Sequence, residues 1–570
     1  MHTMKRIMDT MISPRYFLLA TLLLVDLVEA NDQNHTGFLN IDCGSSNSSY
    51  VDEKTGFVYV SDKDFTGTGE SKEIQNAYKV NQLLEPQFWT VRSFPQGTRN
   101  CYTLKPTLGK GTKYLVRARF FYGNYDNKGQ APTFDLYLGV NYWDTIINQV
   151  AFVLVESEIL FFPTLDHFDV CLVNTGYGIP FISVLEVRPT DNETYASGPG
   201  SALQTVGRYN MNPGINREMR YKDDVYDRLW YPFIQESWIR LNATDKNISQ
   251  NIFKLPSNVI GTAYSPNASI GNTKITISNI NATLEYYFYF HFAELLVLQN
   301  NQSREFNIYL NGNLSYGPLV PKYLVTTTVP ISVSGSTRDN ERSIRIWLNK
   351  TQNSTLPPFL NALEIYYLNE LSQQGTNQTD VDAILNIKSE YGMKRNWQGD
   401  PCAPKAYVWD GVNCSYLANN PPRIISLDLS NNSLSGKVPE FLAQLPFLTV
   451  LNLKENNLTG PVPAALLQRS NNGLSLSTDD SVTGNRTLTS TGYLYGEKNK
   501  VVVPLVASLI GGDVNFTERG SAPWCTGPNG AGFHRYKRCG AWGGDSPINI
   551  LWGGAGLGLN APPRRRPDYV

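Results

Sequence analysis

The sequence predicts a mainly β protein, with two tandem β-sandwich domains, then a short leucine-rich-repeat solenoid and a disordered tail. Three observations carry that reading. The segment Phe134-Asp135-Leu136-Tyr137-Leu138-Gly139 returns as Phe306-Asn307-Ile308-Tyr309-Leu310-Asn311-Gly312, with apolar residues at alternate positions, the period of a half-buried strand. Two more elements recur in the same order, Tyr114–Tyr122 as Leu284–Phe292 and Pro180–Val187 as Pro358–Ile365, giving offsets of 170, 172 and 178 residues. A period of that size is a whole domain. Finally, Leu427–Leu434 matches Leu451–Leu458 at an offset of 24, with leucines inward and Asn432 placed to bond the backbone of the turn, as in a leucine-rich repeat.

In chain order, Lys5, Arg6 and Arg15 precede the apolar run Tyr16–Val25, and Val28-Glu29-Ala30 supplies a cleavage site, so residues 1–30 read as a cleaved secretory signal. Asp26 and Glu29 leave the run short of the ~20 residues a membrane span needs. Residues 37–190 form the first β domain. Residues 191–221 are poor in apolar positions and read as a linker. The second domain occupies 222–370, where alternating runs such as Thr273–Ile277 and Ser343–Leu348 between Gly, Asn and Pro turns suit antiparallel strands.

The period then becomes helical over Thr379–Lys388, opening a segment, 375–422, of helix and cap. Two cysteines flanking a tryptophan just before a repeat array suit a disulfide-stapled cap on the solenoid's open end, pairing Cys402 with Cys414. The repeats fill 423–470, and 471–500 read as a juxtamembrane-like linker. Residues 501–512 begin a membrane span that Asp513 interrupts after twelve residues. Residues 513–570, rich in Gly, Pro and Trp without periodicity, are expected to be disordered.

A net charge of -1 over 570 residues gives no electrostatic reason to expect nucleic acid. Seventeen Asn-x-Ser/Thr sequons point to the secretory pathway; expected glycosylation sites are Asn47, Asn192, Asn242, Asn267, Asn281, Asn301, Asn313, Asn349, Asn377, Asn431 and Asn457. Seven cysteines in an oxidising compartment suggest disulfides rather than metal sites, but the sequence does not choose a pair among Cys43, Cys101 and Cys171. The five histidines are too scattered for a zinc pattern, so no metal or cofactor is expected. His291 reads as a packed or surface strand residue, not a ligand.

Ile41-Asp42-Cys43-Gly44, Phe121–Asp126, Leu138-Gly139-Val140-Asn141 with Trp143-Asp144, Cys171–Gly176, Asp224–Arg228, His291-Phe292-Ala293-Glu294 and Gly399-Asp400-Pro401-Cys402 stand in this order. Over about residues 37–512 the chain resembles the ectodomain of plant malectin-like leucine-rich-repeat receptor-like Ser/Thr kinases. The resemblance implies tandem malectin-like domains, a few repeats, a single span and a cytoplasmic kinase. No stretch here has a kinase catalytic loop, strand lysine or Asp-Phe-Gly, so the expectation is a non-catalytic ectodomain truncated before the kinase, at the cell surface in the family's full-length form. Alternatives are a secreted, apoplastic decoy or carbohydrate-binding module, and kinase activity confined to a longer isoform.

The resemblance to carbohydrate-binding modules makes Tyr122, Asn124, Tyr125, Asp126 and Trp143 candidate ligand contacts, rings for sugar faces and amides or carboxylates for hydroxyls. The plain alternative is a turn in which Asn124 and Asp126 cap the backbone. Asp223, Asp224 and Asp227 lie too close in sequence to read as a glycosidase pair across a cleft and are expected in a solvated loop. The implied partners are a cell-wall carbohydrate or secreted peptide, and a co-receptor kinase through the leucine-rich repeats.

Overall fold

The computed structural model describes residues 36–479, except 80–83, 148–150, 212–213, 215–216, 236, 246, 268–271, 336–341 and 394, together with the strand Ile548–Ile550. The expected signal at 1–30, the span start at 501–512 and nearly all of the tail lie outside the described residues. Within the tail that was expected to be disordered, Ile548–Ile550 runs parallel to Asn272–Ser278. No helix among the described residues is long and apolar enough to cross a membrane.

The repeated segments fold alike. In the first lobe, strand Lys113–Phe121 lies between Val184–Thr190 and Leu154–Phe161. Its partner sheet runs Arg99–Leu104, Phe168–Tyr177, Thr133–Leu138, Asn141–Ile147. The second lobe places Glu285–Phe292 between Ala362–Glu370 and Thr327–Ser334. It pairs the other sheet as Asn272–Ser278, Ser343–Lys350, Phe306–Leu310, Asn313–Leu319. Alternation explains the packing: Phe134, Leu136 and Leu138 are buried while Asp135 and Tyr137 are half-exposed, so one face of the strand meets Val116, Ala118 and Phe120 in the core. Phe306, Ile308 and Leu310 do the same against Phe288, Phe290 and Phe292.

The linker expectation is corrected. Ser201–Met211 is an eleven-residue strand that pairs with Leu154–Phe161 on one side and with Ala362–Glu370 on the other. One sheet therefore runs unbroken through both lobes. Counting apolar positions hid this strand because Gln204, Arg208 and Asn210 are buried polar residues, held by hydrogen bonds and ion pairs in place of apolar contact.

The disulfide Cys402–Cys414 forms as expected, and Cys101 pairs with Cys171, leaving Cys43 buried and in no disulfide. Helix Gln378–Glu390 starts at Asn377, whose side chain accepts from Thr379 N at 3.1 Å. Trp397 and Trp409 stack at 5.1 Å above leucines 427, 429 and 434 of the same core. Strands Arg423–Asp428, Val450–Asn452 and Ser475–Ser477 stack in parallel, so the solenoid reaches a third, partial repeat. Asn432 Nδ2 donates to the carbonyls of Leu429 and Ser430 at 2.9 and 2.8 Å, and Asn456 repeats the arrangement one turn on.

The cap docks on the outer face of the first lobe. Arg99 donates to the carbonyl oxygens of Ala403, at 2.7 Å, and Asp400, Tyr407 meets Tyr137 edge-on at 5.7 Å, and Gly399 lies on the Cys101–Cys171 disulfide. A Cβ at position 399 would stand 2.9 Å from Cys101 Sγ, and its φ is +64°, so both space and backbone demand glycine. Gly399→Ala is expected to cost ~1–3 kcal/mol of docking stability, read as earlier protease cleavage between the second lobe and the solenoid. Unchanged cleavage would show that the contact holds nothing.

Candidate functional site

The Tyr122 turn is built from the inside out. The Tyr122 ring is fully buried, packed edge-on against Tyr125 at 5.5 Å, and both rings lie against Phe181 at 6.0 and 5.3 Å. The Tyr122 hydroxyl donates to the Asp126 carboxylate, and Asn124, at φ 51°, accepts from Gly129 N at 2.8 Å. Asp126 also accepts from Lys128 N at 3.2 Å. These are the bonds of a capped turn. Trp143 is equally buried, so neither it nor Tyr122 presents a ring face to a sugar in this conformation. Asn124 and Asp126 remain partly exposed.

The exposed rings stand on the loops beside that turn. Gln75 N bonds to Gly123 O at 3.0 Å, Gly123 N to Ala151 O at 2.9 Å, and the Tyr125 hydroxyl to Ile179 O at 3.5 Å, drawing three neighbouring segments onto it. Two of those segments expose a ring, Phe152, 68% accessible, next to Ala151, and Tyr177, 55%, two residues before Ile179, while Asn127 and Lys128 of the turn itself are exposed and Asp126 partly so. A rim of large rings with amide, carboxylate and ammonium groups can pack on a pyranose or a peptide side chain while bonding its polar groups. Tyr177 carried a signal in sequence, a tyrosine between Gly176 and Gly178; Phe152 carried none.

On the back of the continuous sheet, burial belongs to charge. Glu186, Arg117 and Glu158 are successive cross-strand partners, and Arg117 bonds the two carboxylates at 2.8 Å each. Arg208 carries the row across the linking strand to Glu158 at 2.5 Å and Glu364 at 2.9 Å, and Glu364 meets His291 Nε2 at 3.1 Å. Of the aspartates expected in a solvated loop, Asp223 is exposed, but Asp224 and Asp227 are buried here, a correction: Asp227 bonds Arg188 at 2.7 Å and also Arg220, while Asp224 holds Arg228 at 3.0 Å and the Trp230 indole at 2.9 Å. Their neighbouring arginines make burial tolerable. Burial pushes the Glu186 carboxyl up, but Arg220, Arg188 and Arg117 outweigh it and hold it well below the usual range. Burial lowers His291, as suits a packed residue. No group of three metal-ligating side chains occurs among the described residues.

The expected glycosylation sites reach the surface. Asn47, Asn192, Asn242, Asn267, Asn281, Asn301, Asn313, Asn431 and Asn457 are exposed, and Asn349 and Asn377 half-buried.

The model of the malectin-like domain family matches residues 41–368. The chain is 43% identical over 432 residues to the putative leucine-rich repeat receptor-like protein kinase At2g19210 of Arabidopsis thaliana. It is 43% identical over 436 residues to the probable LRR receptor-like serine/threonine-protein kinase At1g05700 of the same plant. The alignments cover 75% of this chain and 48% and 49% of those proteins, so the chain spans about half the length of the curated relatives it matches. Among solved structures, the ANX2 ectodomain from Arabidopsis thaliana aligns at a TM-score of 0.49 with 18% identity, over 59% of this chain and 97% of that one.

Stability should depend on pH in two opposed ways. Burial pushes Asp42 up to about 7, against hydrogen bonds from Tyr50 and Thr90. Burial and the Glu218 charge push Glu156 up to about 7, and burial, with a smaller push from the Asp135 charge, brings Asp144 up to about 6. These raised groups bind more protons folded than unfolded, so stability falls as pH rises from about 4 to about 7. Glu158, Glu186, Asp227 and Glu364 are held low by their cationic partners despite burial, and that stabilisation disappears as pH falls below about 4.5. The midpoint of thermal unfolding should therefore be highest near pH 4–5 and lower at about pH 8. Asp42→Asn should flatten part of the alkaline loss, and a midpoint that keeps rising to pH 8 would contradict this balance.

Proposed function

The chain belongs to the malectin-like domain family, and on that premise we propose that it is the non-catalytic, ligand-binding extracellular part of a plant receptor-like kinase. The reading is of an exported glycoprotein whose signalling, where it occurs, is the work of a kinase domain of the sort named in its relatives. Its ligand is a cell-wall carbohydrate or a secreted peptide, and the solenoid offers a surface to a co-receptor. The observation that carries the proposal is the rim of Phe152 and Tyr177 with Asp126, Asn127 and Lys128, outward rings and polar groups on loops set by a rigid scaffold. Tyr122, Tyr125 and Trp143 serve by packing in the core of the same lobe.

The secreted protein would be titrated against arrays of cell-wall oligosaccharides and pools of secreted peptides. Phe152→Ala and Tyr177→Ala are each expected to weaken binding about tenfold or more, the loss typical of an aromatic anchor. Asn457→Gln, on the solenoid, should leave this affinity alone. A ligand bound with undiminished affinity by both ring variants would remove the rim from consideration.

A further inference from the structure

The strand registers superpose one row of residues on another. In the first lobe, Cys101, Cys171, Tyr137 and Tyr142 are successive cross-strand partners. In the second, the equivalent row is Lys274, Trp347, Tyr309 and Leu314. The first row is where the cap docks, with Gly399 on the disulfide and Tyr407 on Tyr137. The second row keeps large apolar groups turned outward: Trp347 and Tyr309 are half-buried, Leu314 is 58% and nearby Tyr316 43% exposed.

Asn349 lies two residues beyond Trp347 on the same strand and so on the same face. It opens the sequon Asn349-Lys350-Thr351. Its cross-strand neighbours are Asn272 and Asn307, too short to overhang it. The Asn349 side-chain oxygen is buried without a hydrogen-bond partner, and no hydrogen bond among the described residues engages its amide nitrogen. We propose that Asn349 carries an N-linked glycan whose first sugar lies on the Trp347 ring, covering on the second lobe the row that the cap covers on the first.

The chemistry balances with a lipid-linked oligosaccharide as donor. Asn349 Nδ2 attacks the anomeric carbon, the C–N bond forms as the anomeric C–O bond to pyrophosphate breaks, and the nitrogen gives up one proton. Once attached, the sugar meets the ring as an intramolecular partner, free of the association cost a dissolved saccharide would bear. Its C–H face removes ring surface from water. The proposal rests on export through the secretory pathway.

The test uses the full chain expressed in plant cells. Glycopeptide mass spectrometry should find Asn349 occupied, and Asn349→Gln should lower the unfolding midpoint by about 2–4 °C. In a Trp347→Leu background, which keeps apolar bulk without a ring face, the same change should cost under about 1 °C, and this non-additivity is the signature of contact. Trimming every glycan to its first sugar should preserve the difference between wild type and Asn349→Gln, a readout that does not depend on any Trp347 variant folding. An empty Asn349 beside occupied Asn281 and Asn301 would overturn the proposal while leaving export intact. An equal loss in both backgrounds, or a difference abolished by trimming, would also overturn it, whereas a chain with no occupied sequon would sink the export reading and this proposal together.

Discussion

A buried row of alternating charge organises this molecule. Glu186, Arg117, Glu158, Arg208 and Glu364 succeed one another across five adjacent strands; Arg188 stands beside Glu186 on its strand, and Arg220, Asp224, Asp227 and Arg228 close over them from the segment behind. That is five carboxylates with five guanidiniums. Ion pairs so deeply buried add little net stability, since desolvation offsets the attraction, but removing one partner costs ~3–5 kcal/mol. The row therefore acts on specificity. A one-residue slip of any strand would carry its charge into the sandwich core, so the register is fixed wherever the row passes, including at Ser201–Met211, where the two lobes become one sheet.

Fixing the register has a consequence for recognition. With sandwich cores on one face of the long sheet and the charged row on the other, its centre is spent on structure, and recognition falls to loop ends and outer sheet faces. The Tyr122 turn shows the division at small scale. Its rings fill the core and its amides close the turn, so the neighbouring loops are held where Phe152 and Tyr177 point outward. Docking of the cap through Arg99 and Gly399 extends the rigid body to the solenoid.

Much of this was legible in sequence. Alternation gave the strands around Phe134 and Phe306, the 24-residue offset gave the solenoid, and cysteines flanking a tryptophan gave the Cys402–Cys414 staple. The failures share one cause. Ser201–Met211 read as linker and Asp224 and Asp227 as solvated because polar residues are ordinarily exposed, and most of their charge partners are distant in sequence, Glu364 for Arg208 at 156 residues and Arg188 for Asp227 at 39. The candidate rings lie buried where the sequence left two readings open: an aromatic beside Asn and Asp fits a binding loop and a capped turn equally well, and only burial separates Tyr122 from Tyr177. Cys101–Cys171 needed the strand register to emerge.

The two lobes share a fold and strand order, so differences between them mark what each is for. At equivalent points of their outer sheets, one has a disulfide and the other Lys274 and Trp347. A disulfide between strands that already pair adds little constraint to the folded chain. Its value here lies in shape: two sulfurs lie low enough for the backbone at Gly399 to approach, which a tryptophan at either position would prevent. The exchange of Cys171 for Trp347 thus decides which lobe accepts the cap and sets the solenoid on one side of the molecule alone. The second lobe keeps outward-facing rings at the equivalent row, which a sugar can cover where a folded cap cannot.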